Sequence, residues 1–310
     1  MSGQVGISIR VRGLHKEFGD VAAVRGLDLE VRTGECFGLL GPNGAGKTTT
    51  LEILEGLQTA TRGEVEVLGR TWEKAGNALR QRIGVVLQEN LLSDKLTVRE
   101  TLELFRSFYS QGPDTEELLA LLQLTDKAGT WVVRLSGGQR QRLSIACSLA
   151  GDPELIFMDE PTTGLDPQSR RALWQLISAF RARGRTVVFT THYMDEAEQL
   201  CDRVAVVDKG RVIAVGTPAE LVASLGGEHV VELTTQPALG PPDFEAVAGV
   251  TAARTTLTGR LALSVSRPHL ALPSILARIA ERGAELSGLT TRNATLEDVF
   301  VSLTGRNLRD

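Results

Sequence analysis

Gly41, Pro42, Asn43, Gly44, Ala45, Gly46, Lys47, Thr48 and Thr49 follow one another with the full spacing G-x-x-x-x-G-K-[ST]. Glycines at these places let the backbone curve tightly and approach an oxygen closely. Successive backbone N–H groups and a following helix N-terminus can then surround a triphosphate. Lys47 can reach the β and γ phosphates as a point charge, and the Thr48 hydroxyl can ligate Mg2+. The competing reading is a glycine-rich turn with an incidental lysine. The flanks oppose it, because the apolar run Cys36 to Leu40 reads as a buried strand and Thr50 to Leu57 as a helix.

Other stretches can contribute to the same chemistry. Asp159 and Glu160 close the apolar run Leu155 to Met158. Adjacent carboxylates at a strand end cannot both be core, so one can hold Mg2+ through water while the other polarises an attacking water. Leu135-Ser136-Gly137-Gly138-Gln139 leads into a helix over Arg140 to Ala150. Ser136 is a good N-cap, and the open N–H groups behind it suit an anion. Gln88 ends the apolar run Ile83 to Leu87, at the strand end where open α/β sheets bind ligands. Phe18, in a loop over Lys16 to Asp20, is an aromatic that can stack on a base or simply anchor the loop. His192 lies just past the buried strand Thr186 to Thr190, and Asp166 sits in the rigid turn Pro161 to Pro167.

The elements that position these residues alternate as an α/β chain. Strand periodicity marks Ile7 to Val11 and Leu27 to Val31, and Val65 and Val67 suggest a hairpin edge. Residues of about 90–135 form a helical insertion, with a capping box at Thr97 and Glu100 and an apolar stripe at Leu118, Leu119, Leu121 and Leu122. Further helices are expected over Gln168 to Ala182 and Met194 to Cys201, then a hairpin around Asp208 to Gly210. A first domain is expected over 1–226. A small α+β domain follows over 227–310, with strands at Val230–Thr234, Leu261–Val265 and Glu285–Leu289 and helices at Pro273–Glu281 and Leu296–Leu303. That second domain holds no dense group of chemical residues.

Bulk properties exclude several classes. The 310 residues are 42% apolar and 23% charged, as in ordinary globular proteins. A net charge of -4 does not suggest nucleic acid or anionic lipid as a partner, and does not exclude them, because a local basic patch can hide in an acidic total. Cys36, Cys147 and Cys201 are far apart and show no metal or disulfide spacing, which fits a reducing compartment. No apolar run is long enough to span a membrane, and Met1 to Arg10 lacks the apolar core of a signal peptide. A membrane role therefore needs a separate partner.

Together these motifs resemble the ATPase subunit of ABC transporters across residues 1–220. Gly41–Thr49 is similar to the family's Walker A loop, Gln88 to its Q-loop, Leu135–Gln139 to its signature and Leu155–Glu160 to Walker B. Gly164–Asp166 is similar to the D-loop and His192 to the switch histidine, and Phe18 falls at the adenine-stacking aromatic. The stretch from Ala294 to Gly305 resembles the tail of drug and antibiotic exporters, the daunorubicin-resistance type in particular.

The resemblance implies a P-loop NTPase fold of ABC type, with an antiparallel β subdomain and the small C-terminal domain. It implies a head-to-tail homodimer holding ATP and Mg2+. One subunit would supply Lys47, Thr48, Gln88, Asp159, Glu160 and His192. The other would supply Ser136, Gly137, Gly138 and Gln139, with Asp166 near the interface. In this scheme Thr48, Gln88 and Asp159 hold the metal, Glu160 acts on water, and His192 orients the γ phosphate and that glutamate. The chain would power transport, drug or lipid-like export foremost, through a separate permease at the cytoplasmic face of the membrane. An importer ATPase or a soluble non-transport ABC ATPase are the alternatives.

Overall fold

The computed structural model describes residues 6–88, 92–227, 229–256 and 258–305. The chain divides into two compact units, Met1–Val215 and Gly216–Asp310.

In the first unit, β1 (Ile7–Phe18) and β2 (Val21–Arg32) are long antiparallel partners joined at Gly19-Asp20. The loop expected over Lys16 to Asp20 is therefore mostly strand, and Phe18 pairs with Val21 at its end. Register shifts near Leu14 and Lys16 break the alternation that marks a strand in sequence. β3 (Cys36–Leu40) is wholly buried, and α1 (Lys47–Leu54) begins at the lysine itself, one turn ahead of the helix expected at Thr50. β4 (Arg62–Val67) ends in the expected turn at Gly69, closed by a single antiparallel bridge between Val67 and Arg70, but its main partner lies elsewhere. It pairs antiparallel with β1, placing Val67 against Ile9, because both are buried in the same core.

α2 (Trp72–Arg80) has one fully buried position, Leu79, so no apolar stripe announced it. β5 (Ile83–Val86) follows, and the start expected for the insertion, Asn90, lies outside the described residues. The insertion carries α3 (Val98–Ser107) and α4 (Thr115–Leu121), each opened by a complete capping box. Then come α5 (Gly137–Leu149), β6 (Leu155–Asp159), α6 (Pro167–Ala182) and β7 (Thr186–Thr191). α7 (Met194–Leu200), β8 (Arg203–Asp208) and β9 (Arg211–Gly216) complete the unit.

Two sheets result. β2-β1-β4 is antiparallel, and the larger sheet runs β5-β6-β7-β3-β8-β9. Its pairs from β5 to β8 are parallel, and their continuous apolar runs reflect burial on both faces. This order sets the C-terminal ends of β6, β7 and β3 side by side.

In the second unit, α8 (Pro218–Ala223) precedes β10 (His229–Gln236), β11 (Val250–Thr255) and β12 (Leu261–Val265). α9 (Pro268–Glu281), β13 (Glu285–Asn293) and α10 (Leu296–Thr304) follow. The antiparallel sheet has the order β11-β12-β10-β13. α9 starts earlier than expected and carries Pro273 inside it. Burial of Ala271, Ile275 and Ile279, one turn apart along one face, offsets the hydrogen bond that proline removes. β11, with no fully buried residue, carried no pattern. Asp298 at the start of α10 is paired with both Arg254 and Arg292, tying that helix to β11 and β13. The division falls before α8 rather than at 226, because α8 packs on α10.

Candidate active site

β3 ends at Leu40 and the chain turns through Gly41–Gly46 into α1. A Cβ at Gly46 would lie 2.5 Å from the Ala23 carbonyl, so β2 passes too close for any other residue. The turn between β8 and β9 closes the other side. Gly210 N donates to Ala45 O at 2.9 Å, and Arg25 N donates to Gly210 O at 2.8 Å. A Cβ at Gly210 would meet the same Ala23 carbonyl at 2.6 Å. The loop is thus clamped between two backbones far from it in sequence.

Lys47 is nearly buried and folds back over its own loop. Its Nζ donates to the carbonyls of Gly41 at 2.9 Å and Pro42 at 3.1 Å. Burial holds the ammonium below the usual lysine range, while the carboxylates of Glu160 and Asp159 oppose that shift. Thr48 Oγ1 donates to Asp159 Oδ1 at 3.3 Å. Thr190, the register partner of Asp159 across β6 and β7, donates to the same oxygen. The Thr190 hydroxyl also accepts the Glu160 N–H at 2.9 Å.

Glu160 has a left-handed backbone, φ 43. For a residue other than glycine this costs on the order of 1–3 kcal/mol. A continuing strand would send adjacent side chains to opposite faces. The break lets Asp159 reach Thr48 while Glu160 reaches Lys47. Glu160 Oε1 lies 3.7 Å from Lys47 Nζ, and Oε2 accepts the Thr163 hydroxyl at 3.1 Å. His192 Nδ1 stands 3.2 Å from Glu160 Oε2 but out of line for a hydrogen bond, and so has no partner in this conformation.

Lys47, Thr48, Asp159, Glu160 and His192 are therefore one cluster. Gln88 is exposed just past β5, and Phe18 is 46% exposed at the end of β1 with Lys16 Nζ 4.7 Å above its ring. Among the described residues neither makes a hydrogen bond or ion pair with the cluster. Ser136 to Gln139 lie apart, at the start of α5. Ser136 Oγ accepts from Gln139 N at 3.3 Å, and Ser136 N donates to Gln139 Oε1 at 3.0 Å. This capping box uses Gln139 within its own helix. Asp166 is likewise engaged as the N-cap of α6, accepting from Gln168 N, Ser169 N and the Ser169 hydroxyl. Those hydrogen bonds hold its carboxyl below the usual range. The two helix starts adjoin, since a Cβ at Gly138 would lie 2.4 Å from Ser169 Oγ.

The family model for ABC transporters matches residues 24–163. The Nod factor export ATP-binding protein I of Ralstonia nicotianae is 41% identical over 309 residues, 97% of this chain and 95% of that protein. The chain belongs to the ABC transporter family, as an ATP-binding subunit. The daunorubicin resistance ATP-binding protein DrrA3 of Streptomyces coeruleorubidus is also 41% identical, over 97% of this chain and 97% of its own. Among solved structures, an ATP-binding subunit of an ABC transporter aligns with TM-score 0.65 and 28% identity, over 70% of this chain and 93% of its own. An ATP-binding cassette solved as a dimer with ADP and Pi aligns with TM-score 0.60 and 28% identity, over 67% of this chain and 98% of its own. The second unit is thus shared with the relatives matched over 97% of the chain.

This ABC ATPase is the ATP-hydrolysing subunit of a transporter and works with a separate permease. Among the described residues no helix is long and apolar enough to cross a membrane. Family membership implies use of ATP and Mg2+. The Thr48 hydroxyl and Asp159 carboxylate are hard oxygen donors side by side, which suits a Mg2+ that keeps its other positions for water and phosphate. Sequence reasoning missed Thr163, Thr190 and Gly210. The threonine pair just before His192 was visible at a strand end, but its partner across the sheet was not.

Proposed function

We propose that the Lys47–Asp159–Glu160–His192 cluster hydrolyses ATP across a head-to-tail dimer, and that this turnover drives export of a drug-like or lipid-like substrate. The observation that carries the hydrolytic reading is the meeting of Lys47 and His192 on a single carboxylate, Glu160. The backbone N–H groups of 41–49 cradle the phosphates, and Lys47 exchanges its loop carbonyls for phosphate oxygens. Phe18 stacks on the adenine. Thr48, Asp159 and, on closure, Gln88 would hold Mg2+, which when bound would neutralise phosphate charge. Glu160 takes the proton of the attacking water, and His192 holds the γ phosphate and Glu160 in line. From the other subunit, Ser136, Gly137 and Gly138 face that phosphate, with Gln139 and Asp166 shaping the two helix starts.

In this reading the ATPase domain is the first unit and the second is an accessory module. The protein sits at the cytoplasmic face of the membrane, on its permease. Support for export comes from the relatives, whose names state Nod factor export and daunorubicin resistance and which match through the second unit. The drug-exporter subtype is the finer part of the proposal. The test is co-expression with its partner permease, followed by loading cells with fluorescent amphiphilic dyes. ATP-dependent loss of dye that stops in Glu160→Gln supports export. Dye accumulation, or no change with a demonstrably assembled complex, contradicts it.

A further inference from the structure

Glu196, on α7, is fully buried and has no part in the cluster described above. Its Oε2 accepts the Thr191 hydroxyl at 2.8 Å, and the same Thr191 oxygen accepts the Tyr193 N–H at 2.9 Å. The carboxylate thereby holds Thr191, whose hydroxyl in turn holds the backbone on the other side of His192. Its Oε1 has no hydrogen bond of regular geometry and faces Arg170 Nε across 3.9 Å, with the buried Thr162 hydroxyl also beside the carboxylate. Arg170 Nε is unpartnered too. An acceptor and a charged donor, both buried and both unmade, are an unfinished contact, and a shift of under about 1 Å completes it.

Arg170 also leads back to His192. Its guanidinium stands 4.8 Å from the Tyr193 ring centre, and Tyr193 stacks on His192 with centroids 4.1 Å apart. At its own end, Arg170 N donates to Asp166 O at 3.0 Å in the first turn of α6. His192 Nδ1, as noted, is near Glu160 but misaligned. Contacts therefore run without a gap from Asp166 through Arg170 and Tyr193 to His192, with Glu196 as the buried counter-charge.

We propose that Arg170, Tyr193 and Glu196 are positioning residues for His192. Closure of the Arg170–Glu196 gap shifts the Tyr193 ring and swings His192 Nδ1 into line with Glu160. Movement at the Asp166 end of α6 is thereby coupled to the hydrolytic group. This deepens the reading of His192 and Glu160 as hydrolytic and rests on it. Neither Arg170 nor Tyr193 touches nucleotide in this scheme, so each acts on turnover and not on binding.

The test uses the full chain, with phosphate release at saturating MgATP, nucleotide titration and thermal melting. Arg170→Ala and Tyr193→Ala should each lower kcat about tenfold while Kd for ATP changes less than about twofold. Tyr193→Phe keeps the ring and should restore the rate. Placed on His192→Ala, Arg170→Ala should lower kcat by less than about twofold more, because contacts acting through one residue are not additive. Equal loss from Arg170→Ala in both backgrounds overturns the relay, as does an unchanged kcat in Tyr193→Ala. A His192→Ala enzyme with full kcat overturns the reading of His192 itself, a distinct result. If Arg170→Ala does not fold, Tyr193→Ala against Tyr193→Phe carries the same cycle.

Discussion

Lys47 Nζ lies 3.7 Å from Glu160 Oε1, and both side chains are largely buried. Each is the other's nearest opposite charge in a place where an unpaired charge is expensive. The ammonium meanwhile spends its hydrogen bonds on Gly41 and Pro42. In the proposed function a phosphate takes the place of those carbonyls, and the pair separates into a phosphate ligand and a free base.

Glu160→Gln keeps the shape and the Thr163 hydrogen bond but removes the negative charge. Turnover should fall by about 10²–10⁴-fold, the usual contribution of a general base. ATP binding should survive, and a dimer should persist with uncleaved ATP. Phosphate release and dimer mass at saturating MgATP check this, and near-wild-type turnover would remove Glu160 from the role.

Ser136→Arg should bind ATP as a monomer yet fail to dimerise, because a long side chain at the start of α5 obstructs the facing γ phosphate. Ser136→Ala is the control. It removes the cap, about 1 kcal/mol of stability, and the hydroxyl facing the phosphate without obstructing it, and should keep more of the ATP-dependent dimer than Ser136→Arg. Light scattering with and without ATP separates the two outcomes.

Phe18→Ala should weaken ATP binding by about 0.5–1.5 kcal/mol, the worth of an aromatic stack, and Phe18→Leu should recover part of that. The ring is 46% exposed, so little stability is lost with it. Equal affinity in a titration of both variants and wild type would dismiss the stack.

Gly210 lies outside every recognised motif, yet a Cβ there meets the Ala23 carbonyl at 2.6 Å in a backbone of φ 77. Gly210→Ala should cost on the order of 1–3 kcal/mol in stability and loosen the clamp on Ala45. ATP affinity should fall with it, whereas Gly259→Ala, in open space within the second unit, should leave affinity unchanged. Melting and nucleotide titration read both effects.

Glu55 is buried on the core side of α1 with Oε1 unpartnered. Burial, then the charges of Asp159 and Glu52, raise its pKa from 4.5 to about 8. The unfolded chain releases this proton near pH 4.5 and the folded chain only near pH 8, so folding stability falls as pH rises between those values and is level on either side. Glu55→Gln should remove that slope. Relative to wild type it should gain on the order of 4 kcal/mol between about pH 5 and about pH 9. Denaturant melts at the two pH values give the difference directly, and parallel slopes would refute the assignment.

Much of this molecule was legible before folding. The loop of 41–49, the capping box at Thr97, the N-cap at Ser136 and the strand ends at Gln88, Asp159 and His192 are local features. A tight turn, a helix start or a buried strand is set within a few residues by φ/ψ limits, caps and apolar spacing. For that reason the residue types suited to a triphosphate could be named from their order alone. Where the reading erred, local rules were overridden. Bulges hid the end of β1 and carried Phe18 into a strand, and core packing carried Pro273 into a helix.

What only the tertiary structure decided is which of those residues meet. Thr48 and Asp159 are 111 positions apart, and they touch because the sheet runs β6-β7-β3 and brings three strand ends together. Strand order and register follow from which apolar faces bury one another, and a one-residue slip would turn Thr190 away from Asp159. The left-handed turn at Glu160, the clamp of Ala23 and Gly210 on the loop, and the unmade contact of Arg170 with Glu196 have the same origin. They are distances between chain segments, held by the packing of the whole unit, and no window of sequence contains them.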